Sequence, residues 1–348
     1  LHYPLRRQSQ MCIRDRNMSV SKEMEEITST FDISITKNDI KKKFVGEIKN
    51  KLVHFFIKKG IIKQEALYIY STCREYSYNK QNNIKNYIIC CDYSKIKFIN
   101  EDTSDEIINV YKHINIYKYF QAKDNNLESI LNRKLNFSDD NNRRYKLISN
   151  IIKDKFYIDF ACGYGGMLFK CNDICKKCIG IEVMKTAIDI LTDKGFIVKN
   201  NIELIENNTV DIISIFQSLE LLDNHRKYLE LFYKKLKKGG KLVIETSNAK
   251  KALYEIYNNK GYKQFITSYR RLIYTEDAIK CLLKDIGYTN IDITYHQRYK
   301  LSNHLGWITN NYPGNDITLF DDNQLNKEYS KILIKNKLAD TLFIVCQK

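Results

Sequence analysis

The sequence predicts an α/β protein whose parallel sheet is covered by helices on both faces. Apolar runs of strand length, at 156–160, 178–181 and 210–216, alternate with segments of helical period. The first of these runs ends in three glycines within four residues, and the second is closed by an acid. This alternation is typical of a doubly wound sheet and not of a β-sandwich or a helix bundle.

The glycine turn after the first run predicts a nucleotide-cofactor site. The run 156–160 leads into Ala161, Gly163, Gly165 and Gly166, and a helical pattern follows. Glycine lets the backbone approach a ligand without a clash from Cβ. Glu182 closes the next strand 23 residues after Asp159, close to the roughly 20-residue spacing at which a carboxylate binds the ribose hydroxyls in a Rossmann-type unit.

The stretch 156–166 resembles motif I of the class I S-adenosylmethionine-dependent methyltransferases, with Ala161 in place of the usual first glycine. The stretch 236–248 resembles the Leu-Lys-Pro-Gly-Gly turn and fifth strand of the same family, with Lys238 in place of proline. The resemblance covers about 140–348. It implies a Rossmann-like sheet of seven strands with the last strand antiparallel, and S-adenosyl-L-methionine as the cofactor.

The resemblance also implies which residues bind the cofactor. The turn residues and Asp159 would form its bed, and Glu182 would hold the ribose. An arginine in the preceding helix, Arg143 or Arg144, would hold its carboxylate. The expected cofactor contacts in chain order are Arg144, Asp159, Ala161, Gly163, Gly165, Glu182, Asn201, Phe216 and Gln217.

Two segments bear on the acceptor. The segment 217–222 resembles the family's His-x-Leu-Glu-His-Leu, but Gln217 and Leu221 replace both histidines and only Glu220 remains. The insertion 296–307 resembles a segment of bacterial methyltransferases of the ubiquinone and surface-saccharide type. We therefore expect O-methylation of a small-molecule or saccharide acceptor, with His304 as the general base and Glu220 as the second candidate. The alternative for the insertion is a polar loop anchored by Trp307.

Other functions stay open. Cys171, Cys175 and Cys178 have the spacing of the iron–sulfur motif of radical S-adenosylmethionine enzymes. However, Cys171 falls on a predicted helix and Cys178 begins a predicted strand, so we expect free thiols and no metal. Because the two family histidines are replaced, a module that binds the cofactor without turnover is the stronger alternative.

The chain before residue 136 has a different character. Residues 1–17 resemble the translated end of a sequencing adapter, and 18–135 are expected to form a smaller α+β domain ahead of the methyltransferase domain at 136–348. The expected elements of that smaller domain are a helix at 40–59 ended by a glycine, strands at 66–70 and 87–91, and a helix at 105–120.

The smaller domain has a faint resemblance of its own. The stretch that leads into Ser71-Thr72-Cys73 resembles the N-terminal domain of glutamyl-tRNA reductase, which would make Cys73 a nucleophile. Such a domain fused to a methyltransferase is one alternative organisation. A half-buried free thiol is the other interpretation of Cys73.

Charge and cysteine content indicate which partners and which cellular compartment to expect. The net charge of +16 admits nucleic acid as a partner, but the lysines are spread along the chain and form no single basic stripe. Ten cysteines, no signal peptide and no apolar run of about 18 residues predict a reduced cytoplasmic protein without a membrane span.

Overall fold

The computed structural model describes residues 41–72, 87–100, 139–263, 270–311, 314 and 322–348. The predictions made for 1–17, for Cys73 and for a helix at 105–120 lie outside these residues. No helix in the described ranges is long and apolar enough to cross a membrane.

The described chain alternates strands and helices. The strands are β1 (Leu67–Thr72), β2 (Tyr87–Cys91), β3 (Lys97–Ile99), β4 (Phe156–Phe160), β5 (Lys177–Ile181), β6 (Val198–Lys199), β7 (Val210–Phe216), β8 (Leu236–Ser247), β9 (Leu272–Ile273), β10 (Thr289–His296) and β11 (Thr341–Gln347). The helices are α1 (Lys51–Lys58), α2 (Asp139–Ile152), α3 (Leu168–Cys171), α4 (Lys185–Asp193), α5 (His225–Lys235), α6 (Ala252–Glu255), α7 (Lys260–Lys263), α8 (Glu276–Ile286), α9 (Leu301–Asn310) and α10 (Asn323–Lys335).

Seven of these strands form one mixed sheet in the order β10-β11-β8-β7-β4-β5-β6. The strands from β8 to β6 run parallel, whereas β11 is antiparallel to both of its neighbours. The prediction of a Rossmann-like seven-stranded sheet with an antiparallel last strand is confirmed. The strand order reverses at β4, which has β5 on one side and β7 on the other. Ligands bind at such a switch point, outside the carboxyl ends of the strands.

The register decides which side chains share a face of the sheet. Asp159 pairs with Ser214, and Ser214 pairs with Val243, so these three point to the same face. Since side chains alternate along a strand, Glu245 and Ser247 join them. Helices α2, α3 and α4 bury the apolar part of this face, while α5 and α8 pack against the other.

A second sheet joins the N-terminal part of the chain to the large one. Its order is β1-β2-β3-β9, and β9 belongs to the C-terminal part. Lys97 of β3 is fully buried, and its ammonium donates to Ala249 O at 2.7 Å and to Glu255 Oε1 at 2.9 Å. The described residues on both sides of the expected boundary at 135 therefore share hydrogen bonds and a core. The two-domain division stays a prediction.

The helix expected at 40–59 is shorter than the apolar pattern indicates. It begins at Lys51, because Asn50 Oδ1 accepts the amides of Leu52 and Val53 and so caps the first turn. The residues before it pair with β1 instead: the amide of Ile69 donates to Lys42 O at 2.9 Å. Gly60 ends the helix with φ at +70°, as predicted.

Candidate cofactor and acceptor site

The turn after β4 places open backbone at the carboxyl edge of the sheet. Ala161, Gly163 and Gly165 all have positive φ, at +56°, +56° and +78°, a conformation that costs an L-residue roughly 1–2 kcal/mol. A Cβ on Gly165 would lie 2.5 Å from Leu191 Cδ2, so a larger residue would have to displace that side chain as well as adopt a positive φ. A Cβ on Gly163 would meet no described atom within 4 Å. The backbone at Gly163 therefore faces open space.

Glu182 is fixed beside this space by three backbone amides. Its Oε2 accepts from Gly163 N at 2.7 Å, and its Oε1 accepts from Val183 N and Met184 N at 2.7 and 3.0 Å. A carboxylate has about four lone-pair sites, so one remains on Oε2. Glu182 can accept one further hydrogen bond, such as one from a ribose hydroxyl, without breaking those it already makes.

Asp159 lies deeper, in a buried hydrogen-bond chain. Ser214 Oγ donates to Asp159 Oδ1 at 2.7 Å, and Ser214 Oγ lies 2.7 Å from Tyr157 Oη. Burial raises the pKa of Asp159 to about 7, against the lowering effect of the Ser214 hydrogen bond. This carboxyl is thus held at the base of the glycine turn, with only 3% of its surface exposed.

A cluster of ion pairs lies at the start of α2. Arg144 donates to Glu245 Oε1 through NH2 at 2.6 Å and Nε at 3.2 Å, and Arg143 NH2 lies 2.7 Å from Glu245 Oε2. Burial alone would raise the pKa of Glu245, but the guanidinium groups of Arg144, Arg143 and Arg298 outweigh it and lower that pKa to about 2. Glu245 is therefore a carboxylate at every physiological pH.

Among the described residues, the ion pairs of this cluster include more guanidinium groups than carboxylates. Arg298 pairs with Asp140, which also accepts from Arg143 NH2 at 2.9 Å. Three guanidinium groups therefore meet two carboxylates. Arg143 NH1 is buried and has no hydrogen-bond partner among the described residues, whereas NH1 of Arg144 donates to Asn141 Oδ1 at 3.3 Å. One further carboxylate, such as that of the cofactor's amino-acid part, would balance the charge.

The remaining expected contacts lie at the ends of neighbouring strands. The ring of Phe216 is 4.9 Å from the Arg144 guanidinium carbon. Gln217 has φ at +53°, and its Nε2 donates to Glu245 Oε1 at 3.3 Å. Asn201 is exposed after β6, and its Oδ1 accepts the amide of Glu203 at 2.9 Å. The carboxyl ends of β4 to β7 thus bring the expected cofactor residues to one edge.

The two candidate bases lie away from solvent. Residues 301–307 of the insertion lie in the helix α9, residues 297–300 form an irregular segment before it, and His304 has no exposed surface. His304 Nδ1 is 2.6 Å from Tyr329 Oη, and its Nε2 is 3.6 Å from Asp340 Oδ1. Glu220 is equally buried, and its Oε2 accepts from Thr246 Oγ1 at 2.8 Å. Their catalytic roles stay predictions.

Residues that the sequence did not single out complete the edge. Glu245, Ser214 and Asp140 were missed, although a charged residue inside the apolar run 242–246 was a usable signal for the first. Cys171 and Cys178 are buried, and both belong to the apolar cluster under α3. No group of three or more potential metal ligands occurs within the described ranges.

This fold and site define a cofactor-binding α/β domain, and the comparison with family models names its class. Residues 132–293 match the family described as "Methyltransferase domain". The segment is a class I S-adenosylmethionine-dependent methyltransferase domain, and its cofactor is S-adenosyl-L-methionine. The open backbone at Gly163, the free lone pair of Glu182 and the orphaned Arg143 NH1 fit that cofactor.

Solved structures similar to this chain include a SAM-dependent methyltransferase from Archaeoglobus fulgidus. It is 20% identical, with a TM-score of 0.44, and the match covers 64% of this chain and 100% of that one. A methyltransferase from Mesorhizobium loti is 9% identical, with a TM-score of 0.41 and coverage of 59% and 96%. The [4+2]-cyclase SpnF is 15% identical, with a TM-score of 0.39 and coverage of 59% and 80%. The comparison with curated proteins finds no match.

Proposed function

We propose that this protein transfers the methyl group of S-adenosylmethionine to an oxygen atom of a small-molecule or saccharide acceptor. The cofactor supplies an electrophilic methyl carbon on a sulfonium centre, and its thioether product leaves without an acid. The protein's own contribution is then to align donor and acceptor and to exclude water.

The observation that carries the proposal is the pairing of Glu182 with Gly163. One carboxylate oxygen accepts the Gly163 amide at 2.7 Å, beside the position where a Cβ would meet open space. Glu182 would hold the ribose, and Asp159 would lie beneath the cofactor. Of the two arginines, Arg143 is the better candidate for the carboxylate of the cofactor, because its NH1 is buried without a partner among the described residues.

Proton removal from an acceptor hydroxyl would need a base. Of the two candidates, Glu220 has the better-placed atom: its Oε1 makes no hydrogen bond among the described residues and lies 3.7 Å from Arg270 NH1. Both ring nitrogens of His304 face protein groups. Glu220 therefore has an oxygen atom that could accept a proton from the acceptor, whereas neither ring nitrogen of His304 is free of protein contacts.

One observation favours a second candidate function, cofactor binding without turnover. His304 and Glu220 have no exposed surface, and Gln217 and Leu221 stand where the family carries histidines. A domain of this kind would bind S-adenosylhomocysteine and S-adenosylmethionine equally and would label no acceptor.

The test combines binding and turnover. Calorimetry with S-adenosylhomocysteine should give one site per chain. Glu182→Gln should weaken the binding of S-adenosylhomocysteine about tenfold or more, because hydrogen bonds to charged groups contribute about 1.5–3 kcal/mol each. Glu203→Gln, on an exposed residue beyond β6, is the matched control. Incubation with metabolite extracts and a methyl-labelled donor should then label an acceptor through oxygen. Equal binding by Glu182→Gln and the parent would contradict this cofactor site, and binding without any labelling would favour the second candidate.

A further inference from the structure

Beyond the cofactor contacts, two cations meet on a single hydroxyl group at the carboxyl end of β8. Lys251 Nζ donates to Ser247 Oγ at 2.9 Å, and Arg270 NH1 donates to the same oxygen at 3.1 Å. The distance between Lys251 Nζ and Arg270 NH1 can therefore be no greater than the sum of these two distances. Like charges this close repel each other unless an anion lies between them or beside them.

Among the described residues, one carboxylate and two aromatic rings compensate this pair, the rings being those of Tyr254 and Tyr262, whose centroids lie 5.0 and 5.4 Å from Lys251 Nζ. Lys251 is 4% exposed. Its other hydrogen bond goes to Tyr262 Oη at 3.1 Å, and no described carboxylate lies within 4.0 Å of its ammonium. The carboxylate nearest to Arg270 is Glu220, whose Oε1 lies 3.7 Å from NH1, so among the described residues one carboxylate faces two cations. Buried charges are costly unless they are paired, so this pair lacks one negative charge.

The electrostatics agree with this geometry. Burial, together with the Arg270 and Arg298 guanidinium groups, lowers the pKa of the Lys251 ammonium, against the raising effect of Tyr254 and Asp340. Asp340 is itself engaged, since its Oδ2 accepts the amides of Arg298 and Tyr299 at 3.1 Å each. An anion bound beside Lys251 would favour the charged ammonium and oppose this lowering of its pKa.

The position of the pair fits the acceptor side of the reaction. Ser247 lies on the same face of the sheet as Asp159 and Glu245, two strands away from β4. Neighbouring strands are about 4.8 Å apart, so β8 is roughly 10 Å from the glycine turn. Arg270 retains 23% of its side-chain surface, so the pair is open to solvent on its Arg270 side.

We propose that Lys251 and Arg270 form an anion subsite, with Ser247 and Tyr262, that binds a carboxylate or phosphate group of the methyl acceptor. The proposal rests on the proposed function and narrows it to anionic acceptors. A carboxylate and a phosphate present the same oxygen chemistry to this pair. Benzoate and phenyl phosphate are therefore the two probes that distinguish them.

The test uses the full chain saturated with S-adenosylhomocysteine, so that the cofactor's own carboxylate site is filled. Benzoate or phenyl phosphate is titrated at constant ionic strength, and we expect one site per chain. Lys251→Met should weaken binding about tenfold or more, as expected for the loss of a charged hydrogen bond. Lys250→Met is the matched control, because its neighbouring ammonium makes no hydrogen bond to a described residue, and it should bind like the parent.

A second variant, Arg270→Gln, and a separate measurement of cofactor binding complete the test. Because Arg270 is partly exposed, the Arg270→Gln variant should fold even if Lys251→Met does not. It should also bind the anion more weakly than the parent. Parental anion binding by either of these two variants would overturn the proposal, as would a parent that binds neither probe. Weakened binding of S-adenosylhomocysteine itself in Lys251→Met would assign the pair to the cofactor and overturn it too. Because cofactor binding is measured separately, a failed anion subsite leaves the proposed function standing.

Discussion

Arg144 donates two hydrogen bonds to Oε1 of Glu245, from NH2 at 2.6 Å and from Nε at 3.2 Å, and Glu245 is fully buried. Arg143, the next residue, reaches the other oxygen of the same carboxylate and keeps a buried NH1 without a partner among the described residues. The two neighbouring arginines therefore differ in their roles: Arg144 is occupied by the protein, and Arg143 has a donor left for a ligand.

The first prediction separates these roles. Arg143→Met should weaken S-adenosylhomocysteine about tenfold or more and leave 5′-methylthioadenosine, which lacks the amino-acid carboxylate, unaffected. Arg144→Met should instead lower the free energy of unfolding by about 1–3 kcal/mol, because it leaves part of the buried Glu245 carboxylate unsatisfied. Calorimetry with both ligands and urea denaturation measure the two effects. Arg226→Met, in a partly exposed ion pair on α5, is the control.

Equal losses for both ligands in Arg143→Met would show that its guanidinium does not face the carboxylate of the cofactor. If Arg144→Met instead weakened S-adenosylhomocysteine and left 5′-methylthioadenosine unaffected, Arg144 would be the residue that holds the cofactor's carboxylate, as the resemblance to the family implies.

The second prediction concerns Asp159 and pH. Burial raises the pKa of Asp159 to about 7 in the folded chain, above the ordinary 3.8. Between these values the folded state binds the proton that the unfolded state has lost, so this carboxyl makes stability fall as pH rises. Asp159→Asn should remove the contribution of this carboxyl to the loss of stability with rising pH. Urea denaturation at about pH 5 and about pH 8 should show a smaller loss in the variant than in the parent. The exposed Asp193→Asn is the control, and parallel losses in Asp159→Asn and the parent would contradict the prediction.

The third prediction concerns His304. Its ring contacts Tyr329 Oη at 2.6 Å and faces the buried Asp340, so His304→Ala should lower the free energy of unfolding by about 1–3 kcal/mol. Tyr329→Phe should cause a smaller loss, and Asn310→Ala, at the exposed end of the same helix, should cause none. A base would behave differently: His304→Ala would keep its stability and lose about 10²–10⁴ in kcat. That second outcome would contradict the structural role and restore His304 as the base.

The sequence predicted the sheet well because its strands are buried on both faces. The runs 156–160 and 210–216 are almost wholly apolar, and β4 and β7 have these bounds. Amphipathic segments were harder to delimit, since the apolar pattern of 40–59 continues through Asn50, whose side chain caps α1. For the insertion 296–307 the sequence left a polar loop open as the alternative, because polar residues dominate it, whereas the structure places its second half in α9 with Ser302, Asn303 and His304 buried.

The site was predictable only where it follows the ends of strands. Asp159 and Glu182 close neighbouring strands, so a spacing along the chain revealed them. The contacts of Arg144 with Glu245 and of Arg298 with Asp140 join residues 101 and 158 positions apart. No local pattern predicts such pairs, because they depend on how the strands are ordered in the sheet. At the Ser247 hydroxyl, Arg270 comes from 23 positions away, whereas Lys251 is only four residues along the chain.

The fourth prediction tests the cofactor site itself with two matched glycines. Gly163 and Gly195 both have positive φ, and a Cβ on either would meet no described atom within 4 Å. Gly163→Ala and Gly195→Ala should therefore lose similar stability, roughly 1–2 kcal/mol each. They should differ in binding, because Gly163 lies beside Glu182, and Gly195 closes α4 away from the sheet edge.

Calorimetric titration of the parent and these two variants with S-adenosylhomocysteine is thus the most direct measurement of the central claim. We expect one site per chain in the parent, unchanged affinity in Gly195→Ala, and affinity at least about tenfold weaker in Gly163→Ala. Equal affinity in the two variants, or no binding by the parent, would contradict a methyl-donor site at the glycine turn after β4.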